Sequence, residues 1–218
     1  MRLSALAIVL VTIKLAAIDQ LDAKFLFHNP SAGEPVKTSI GVRPPTFVGI
    51  RYWFQTAAGR RMNESEAGRS AEPLDLHVQS NFRGFLTVWE NRTSGGSELT
   101  PFDPDPTISG NGRWSGVRID PSATYVLPQK IKFERIAQPG RLIVIFSRSQ
   151  TEQAHDPKDA AQTFIRHSTW RGPDGLPVLL RAEDETATTP ATYVVNRIGM
   201  PVVVSIPLLL RERQVFPW

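Results

Sequence analysis

The sequence predicts an all-β fold, mainly antiparallel, in the form of a β sandwich or a partly open barrel. Many short segments alternate apolar and polar residues with a period of two, which is typical of half-buried strands. These segments follow one another at intervals of about 8–12 residues, the usual spacing of strands in sandwiches and barrels. The 15 Gly and 18 Pro among 218 residues supply the tight connections that such a fold needs.

The first 23 residues are typical of a secretory signal peptide. Met1 and Arg2 precede a run over residues 3–13 in which nearly every residue is apolar. This run is shorter than the roughly 20 apolar residues of a membrane span. We expect cleavage after Ala17 or after Ala23, and hence export to the periplasm or the medium. The alternatives are a buried N-terminal helix or strand, and an uncleaved leader that tethers the protein to the inner membrane.

The segment 24–45 is predicted to be a linker that leads into the β domain. It carries Pro30, Pro35, Pro44 and Pro45 among small polar residues. The β domain is then expected over residues 46–211, followed by a C-terminal tail over residues 212–218.

The first strands of the domain are predicted from strict alternation. Residues 50–55 place Ile, Tyr and Phe on one face and Arg, Trp and Gln on the other. Residues 74–79 alternate in the same way. The turn residues of segment 80–84 separate them from residues 85–89, and the two segments are predicted to pair as a β-hairpin. Further short strands are expected at 116–119, 125–127 and 131–134.

The second half of the domain contains one segment, residues 142–146, that is apolar at every position. A strand buried on both faces has this composition, so it is predicted to lie centrally in its sheet. The single convincing helix is expected near 157–169, with Asp156 as N-cap and Pro157 in the first helical position. Residues 192–196 and 202–206 are predicted to pair with each other.

The order and spacing of several segments resemble the bacterial domain family of unknown function DUF4384, over about residues 39–211. The segments that carry the resemblance are Val48-Gly49-Ile50-Arg51-Tyr52, Leu76-His77-Val78-Gln79-Ser80-Asn81, Gly84-Phe85-Leu86, Leu99-Thr100-Pro101-Phe102, Gly110-Asn111-Gly112, Val126-Leu127-Pro128, residues 139–148 and Tyr193-Val194-Val195-Asn196. Glu72-Pro73 and Leu99–Phe102 depart from the usual pattern. The resemblance implies a β-rich accessory module without established catalytic residues.

Composition and motifs argue against several kinds of function. The chain has no cysteine, so it has neither thiolate nucleophiles nor cysteine-type zinc sites. A net charge of +4 without a dense basic block argues against nucleic-acid binding. His28, His77, His155 and His167 lack the i, i+4 spacing of a helical metal pair. We expect no cofactor and no metal. Calcium at residues 103–112, whose Asp and Asn oxygens could bind it, is the weaker alternative to a proline-stiffened loop.

The aromatic residues offer the best candidate binding surface. Trp53, Trp89 and Trp114, with Phe85 and Trp170 as further candidates, would form a flat face for a sugar or a peptide if several pointed outward. The alternative is a purely structural role, in which these aromatic side chains fill the core or cover a sheet.

These observations predict an exported, noncatalytic binding or scaffolding module of the bacterial cell envelope that recognises a protein or peptide. One alternative is a carbohydrate-binding module that uses Trp53 and Trp89. Another is a hydrolase, which would need a histidine within hydrogen-bond reach of an acid and of a Ser or Thr.

Overall fold

The structure is a computed structural model that describes residues 22–31, 36–38, 41–43, 47–92, 98–102, 107–108, 114–135, 140–148, 162, 179–184, 186 and 188–209. Two short helices lie entirely within these ranges, α1 (Ala23–His28) and α2 (Glu64–Ala67). The strands are β1 (Val36–Thr38), β2 (Gly41–Arg43), β3 (Phe47–Gln55), β4 (Arg61–Met62), β5 (Asp75–Ser80), β6 (Gly84–Arg92), β7 (Glu98–Pro101), β8 (Thr107–Ile108), β9 (Trp114–Ser115), β10 (Val117–Ile119), β11 (Thr124–Val126), β12 (Arg141–Ser147), β13 (Leu179–Asp184), β14 (Ala191–Arg197) and β15 (Val202–Pro207). None of the helices in the described ranges is long and apolar enough to cross a membrane.

The strands form two antiparallel sheets, which confirms the predicted all-β sandwich. Sheet I has the order β10-β6-β12-β15, with β7 also paired to β6. Sheet II has the order β11-β5-β3-β14-β13, with β4 also paired to β3. Two short ribbons, β1-β2 and β8-β9, complete the described strands. The helix predicted near 157–169 lies outside the described residues, except for Gln162, which is helical.

The core lies between the inner faces of the two sheets. Sheet II contributes alternate residues of β3, among them Ile50, Tyr52 and Phe54, each without exposed surface. Sheet I contributes the even-numbered residues of β12 and β15, such as Leu142 and Val204. Alternation with a period of two therefore places the apolar set of each strand on the face that the other sheet covers.

Strand β12 occupies the central position that its continuous apolar run predicts. It pairs with β6 on one side and with β15 on the other. Residues Leu142 to Phe146 are all buried, including Ile143 and Ile145, which point away from the other sheet. A strand that is buried on both faces needs an apolar residue at every position, and this explains the pattern.

Two predicted strand pairs are wrong, for the same reason. The segments 74–79 and 85–89 belong to different sheets, since β5 pairs with β3 and β11, whereas β6 pairs with β7, β10 and β12. The segments 192–196 and 202–206 are also separated, because β14 lies in sheet II and β15 in sheet I. In both places a short turn leads the chain across the sandwich, and its residues do not differ from those of a hairpin turn.

The predicted linker over residues 24–45 is corrected at its start, where residues 23–28 form helix α1. The helix packs on the outer face of sheet II, with Ala23, Leu26 and Phe27 buried against Trp53, Tyr193 and Val195. Further along, β1 and β2 pair with each other. Helix α1 is therefore part of the packed domain.

Candidate functional site

A concave site lies at one end of sheet II, where two strands share the same side of β3. Strand β14 pairs with residues 47–52 of β3, and β4 continues along the same side at Phe54 and Gln55. The turn before β4 and the loop before β14 therefore meet. Between them lies a cavity of about 470 Å³, which we call the corner pocket; its lining residues are Gly59, Arg60, Arg61, Glu66, Thr186, Thr188 and Pro190.

The first wall of the corner pocket is the segment from the β3–β4 turn to helix α2. Gly59 adopts a φ of +84°, which favours glycine, and the turn is closed by hydrogen bonds between Thr56 and Arg60. Helix α2 begins with a capping box, in which the Asn63 side chain accepts from the Glu66 amide and the Glu66 carboxylate accepts from the Asn63 amide. The carboxylate of Glu66 is thus engaged in holding the wall.

The second wall, residues 186–190, is anchored at the end of β13 by Asp184. The carboxylate of Asp184 accepts a hydrogen bond from the Thr186 amide at 3.1 Å and forms an ion pair with Lys24 of helix α1 at 2.6 Å. Burial alone would raise the pKa of Asp184, but these two partners hold it below its ordinary value. The loop position is therefore coupled to helix α1.

A buried polar cluster lies beneath the corner pocket and ties its two walls together. Glu64 of helix α2 is 4% exposed and accepts a hydrogen bond from the Tyr52 hydroxyl at 2.5 Å. Arg181 of β13 donates to the same carboxylate oxygen at 2.6 Å. The Glu64 amide also donates to the Thr192 hydroxyl at 3.4 Å. We call these four residues the Glu64 cluster.

The environment of the Glu64 cluster keeps the Tyr52 phenol protonated. Burial raises the pKa of Tyr52 well above its ordinary value, and the negative charge of Glu64 raises it further. The phenol therefore stays protonated and acts as a hydrogen-bond donor at neutral pH. Arg181 and Glu183 point inward from β13, the outermost strand of the described part of sheet II. Inward-pointing charges on an edge strand oppose edge-to-edge aggregation.

The outer face of sheet II next to the pocket carries a stack of aromatic and cationic side chains. The rings of Trp53 and His77 are stacked, with centroids 5.1 Å apart and an interplanar angle of 18°. The Arg61 guanidinium lies 4.6 Å from the centroid of the Trp53 ring. Burial lowers the pKa of His77, and the positive charge of Arg61 contributes in the same direction. This stack fixes Arg61, which also lines the corner pocket.

The structure buries Trp53 and Trp89, two of the three tryptophans named as a possible binding surface. Trp53 lies on the Arg51 face of its strand, as alternation predicts, but helix α1 and Arg61 cover that face, and the residue is 2% exposed. Trp89 is 1% exposed. The backbone of Trp114 lies in β9, whereas its side chain, like Trp170, lies outside the described part of the structure. No flat aromatic face is therefore formed by Trp53 and Trp89.

The histidines that the structure describes lie in aromatic contacts. His28 packs against Phe27 and Tyr193, with ring centroids 5.3 Å and 5.7 Å away. Burial lowers its pKa, and the nearby Arg51 adds to this effect. His155 and His167 lie outside the described residues, as does most of segment 103–112, for which calcium binding was the weaker alternative. In the described part of the chain, no three His, Asp or Glu side chains lie close enough to hold a metal ion.

The sequence analysis missed the corner pocket because its walls come from distant segments. Arg60-Arg61 followed by Asn63-x-x-Glu66 was the one available signal, since a basic pair before a capping box places two cations at a fixed helix start. Nothing in residues 186–190 indicates that this loop lies opposite.

No family model matches the chain, and neither a curated protein nor a solved structure is similar to it. The resemblance to DUF4384 consequently stays a prediction.

Proposed function

We propose that the chain is an exported, noncatalytic binding module of the bacterial envelope that recognises an acidic segment of a protein or peptide at the corner pocket. The observation that carries the proposal is the presence of two arginines and two threonines on opposite walls of one cavity. Export is inferred from the leader-like residues 1–23, to the periplasm or the medium, with an uncleaved membrane tether as the alternative. The resemblance to DUF4384 supports an accessory role without catalysis.

The chemistry of the corner pocket favours a carboxylate ligand. Arg60 and Arg61 bring two positive charges, and guanidinium groups bind carboxylates in a planar, two-pronged geometry. Thr186 and Thr188 add hydroxyl donors from the opposite wall. Glu66 is the one acidic residue among the described lining residues, and its carboxylate already accepts a hydrogen bond from the Asn63 amide. The carboxylate of an acidic side chain or of a C-terminus would therefore find more hydrogen-bond donors than acceptors in the corner pocket.

The rigidity of the walls also supports a binding role. The Glu64 cluster links helix α2 to β13 and β14, and Asp184 links the loop 186–190 to helix α1. Side chains on a fixed frame lose less conformational freedom when a ligand binds, so a larger part of the contact energy becomes affinity.

Peptide binding tests the proposal directly. Two fluorescein-labelled peptides of equal length, one rich in glutamate and one rich in lysine, are titrated with the protein by fluorescence anisotropy at low salt. We expect the glutamate peptide to bind more tightly, and the preference to weaken as salt screens the charges. The double variant Arg60→Gln/Arg61→Gln, which keeps most of each side-chain stem, should bind it about tenfold more weakly or worse.

The control is Arg83→Gln, which removes one arginine charge at the opposite end of sheet II and is matched to the single variants Arg60→Gln and Arg61→Gln. The register of β5 against β3 runs from Asp75 beside Gln55 to Ser80 beside Ile50, so Arg83 lies at the end away from the pocket. Equal affinity for both peptides, or equal loss in the control, would show that the corner pocket is not the site. A reproducible hydrolase activity of the purified protein would overturn the noncatalytic part of the proposal.

A further inference from the structure

Helix α1 begins at a capped and buried position within the last residues of the leader-like region 1–23. Asp22 is its N-cap, and the Asp22 carboxylate accepts hydrogen bonds from the amides of Lys24 and Phe25. A side-chain oxygen at this position satisfies amides that the first helical turn leaves without partners. Without Asp22, the first turn of α1 would lack this partner.

The residue that follows the cap is part of the core. Ala23 is 1% exposed, and it packs with Leu26 and Phe27 against the outer face of sheet II. The helix is also held through its backbone. Asn81 donates from Nδ2 to the carbonyl of Phe27 at 3.2 Å, and the carbonyl of Pro30 accepts from the Phe47 amide at 2.8 Å.

Lys24 is the next residue, and its side chain makes a contact that fixes the start of helix α1. Its ammonium pairs with Asp184 at 2.6 Å, where the Asp184 side chain is 6% exposed. The hydrogen bond to Asp184 raises the pKa of Lys24. If Lys24 became the first residue of the chain, a charged α-amino group would stand at the start of α1, where the helix dipole disfavours a cation.

We infer that maturation cleavage falls on the N-terminal side of Asp22, so that of the two sites the sequence offers, Ala17 is used and Ala23 is not. The inference rests on the proposed export. The step is the hydrolysis of one peptide bond by a leader peptidase: water supplies a hydroxyl to the carbonyl of Ala17 and a proton to the amine of Ile18. Asp22 and Ala23 stay with the mature domain, and α1 keeps its cap.

The N-terminus of the exported protein tests this inference. The full chain with a C-terminal affinity tag is expressed in a bacterium, purified separately from the cytoplasmic, membrane and exported fractions, and analysed by intact mass and N-terminal sequencing. We expect an exported form that begins at Ile18. A mature chain that begins at Ile18 supports the inference. A start at any residue from 19 to 22 would overturn the choice of Ala17, and a start at Lys24 would overturn the inference as a whole.

A leader variant provides the second measurement. Ala17→Tyr places a bulky residue where leader peptidases require a small one, and it leaves Ala23 unchanged. We expect the variant to accumulate as uncleaved precursor. Cleavage of the variant after Ala23 would overturn the inference while leaving the proposed export intact. An uncleaved wild-type chain confined to the cytoplasmic fraction would overturn both.

Discussion

The Glu64 cluster makes an asymmetric prediction about stability, because its two charged members differ in their access to water. The side chain of Glu64 is 5% exposed, whereas that of Arg181 is 37% exposed. Replacing Arg181 by Met removes the cationic partner of a buried carboxylate, which keeps its hydrogen bond from the Tyr52 hydroxyl. Replacing Glu64 by Gln leaves a cation that can turn towards solvent, and Tyr52 can still donate to the amide oxygen.

The expected magnitudes follow from burial. Removing one partner of a buried ion pair costs about 3–5 kcal/mol, and the partial exposure of Arg181 places Arg181→Met near about 3 kcal/mol. For a domain of this size, that corresponds to a fall in Tm of about 6–12 °C. Glu64→Gln should cost about 1 kcal/mol, the usual net value of a hydrogen bond.

Urea denaturation followed by tryptophan fluorescence measures these free energies of unfolding. The double variant Glu64→Gln/Arg181→Met should be less destabilised than the sum of the single variants, by about 1 kcal/mol or more. The matched control is Arg83→Met. Arg83 pairs with Asp120 at 2.7 Å, but the two side chains are 67% and 55% exposed, so the loss should stay below about 1 kcal/mol. If Arg181→Met costs no more than Glu64→Gln or than the control, the cluster does not stabilise the fold as argued.

Three further predictions concern the cap, a close approach of backbones, and pH. Asp22→Ala should lower the free energy of unfolding by about 1 kcal/mol, because helix α1 loses its N-cap. Gly116→Ala should cost about 2–3 kcal/mol, since a Cβ there would lie 2.2 Å from a backbone carbonyl oxygen of β6. The urea concentration at the unfolding midpoint should decrease when the pH is lowered from about 7.5 to about 5.5, because burial lowers the pKa of both His28 and His77 in the folded state. For comparison, Gly140→Ala, whose Cβ would have its nearest neighbour at 3.4 Å, should stay within about 0.5 kcal/mol of the natural protein.

Each of these predictions has an outcome that contradicts it. An unchanged midpoint in Asp22→Ala would mean that α1 is held by packing alone. Equal effects of the two glycine substitutions would contradict the close approach of β10 and β6. For the histidines, the unfolded chain binds more protons than the folded one below about pH 6.5, so their contribution is complete above that value and is lost as the pH falls through the folded-state pKa. Replacing both by Gln should flatten this pH dependence.

The sequence predicts individual strands well because burial alternates along each of them. The continuous apolar run of 142–146 predicts the central strand β12, and the alternation of 50–55 places Trp53 on the outer face. Neither pattern predicts which strand lies next to which. The same turn residues serve a hairpin and a crossing between sheets, so the partners of β5 and β14 were predicted wrongly.

The candidate site was less predictable than the fold, since it depends on contacts between distant segments. The prolines after residue 29 led to the prediction of a linker, so helix α1, which covers Trp53, was not predicted. Trp53 lies on the outer face of sheet II, as predicted, but helix α1 buries it. The ion pair between Lys24 and Asp184 joins residues that are 160 positions apart in the sequence. Like the corner pocket, it exists only in the folded protein.

The pairing of β3 with β14 has a consequence for how the protein reaches its folded state. Residues 47–52 lie against residues 192–197, so sheet II cannot form completely until β14, more than 130 residues further along the chain, is present. Sheet I has the same property, because β12 completes it only with β15. Pairings so distant along the chain are slow to form, since a long loop must close before any contact compensates for the entropy lost. Each sheet thus depends on a strand that comes late in the sequence, and one side of β3 and one side of β12 stay unpaired until β14 and β15 have joined them.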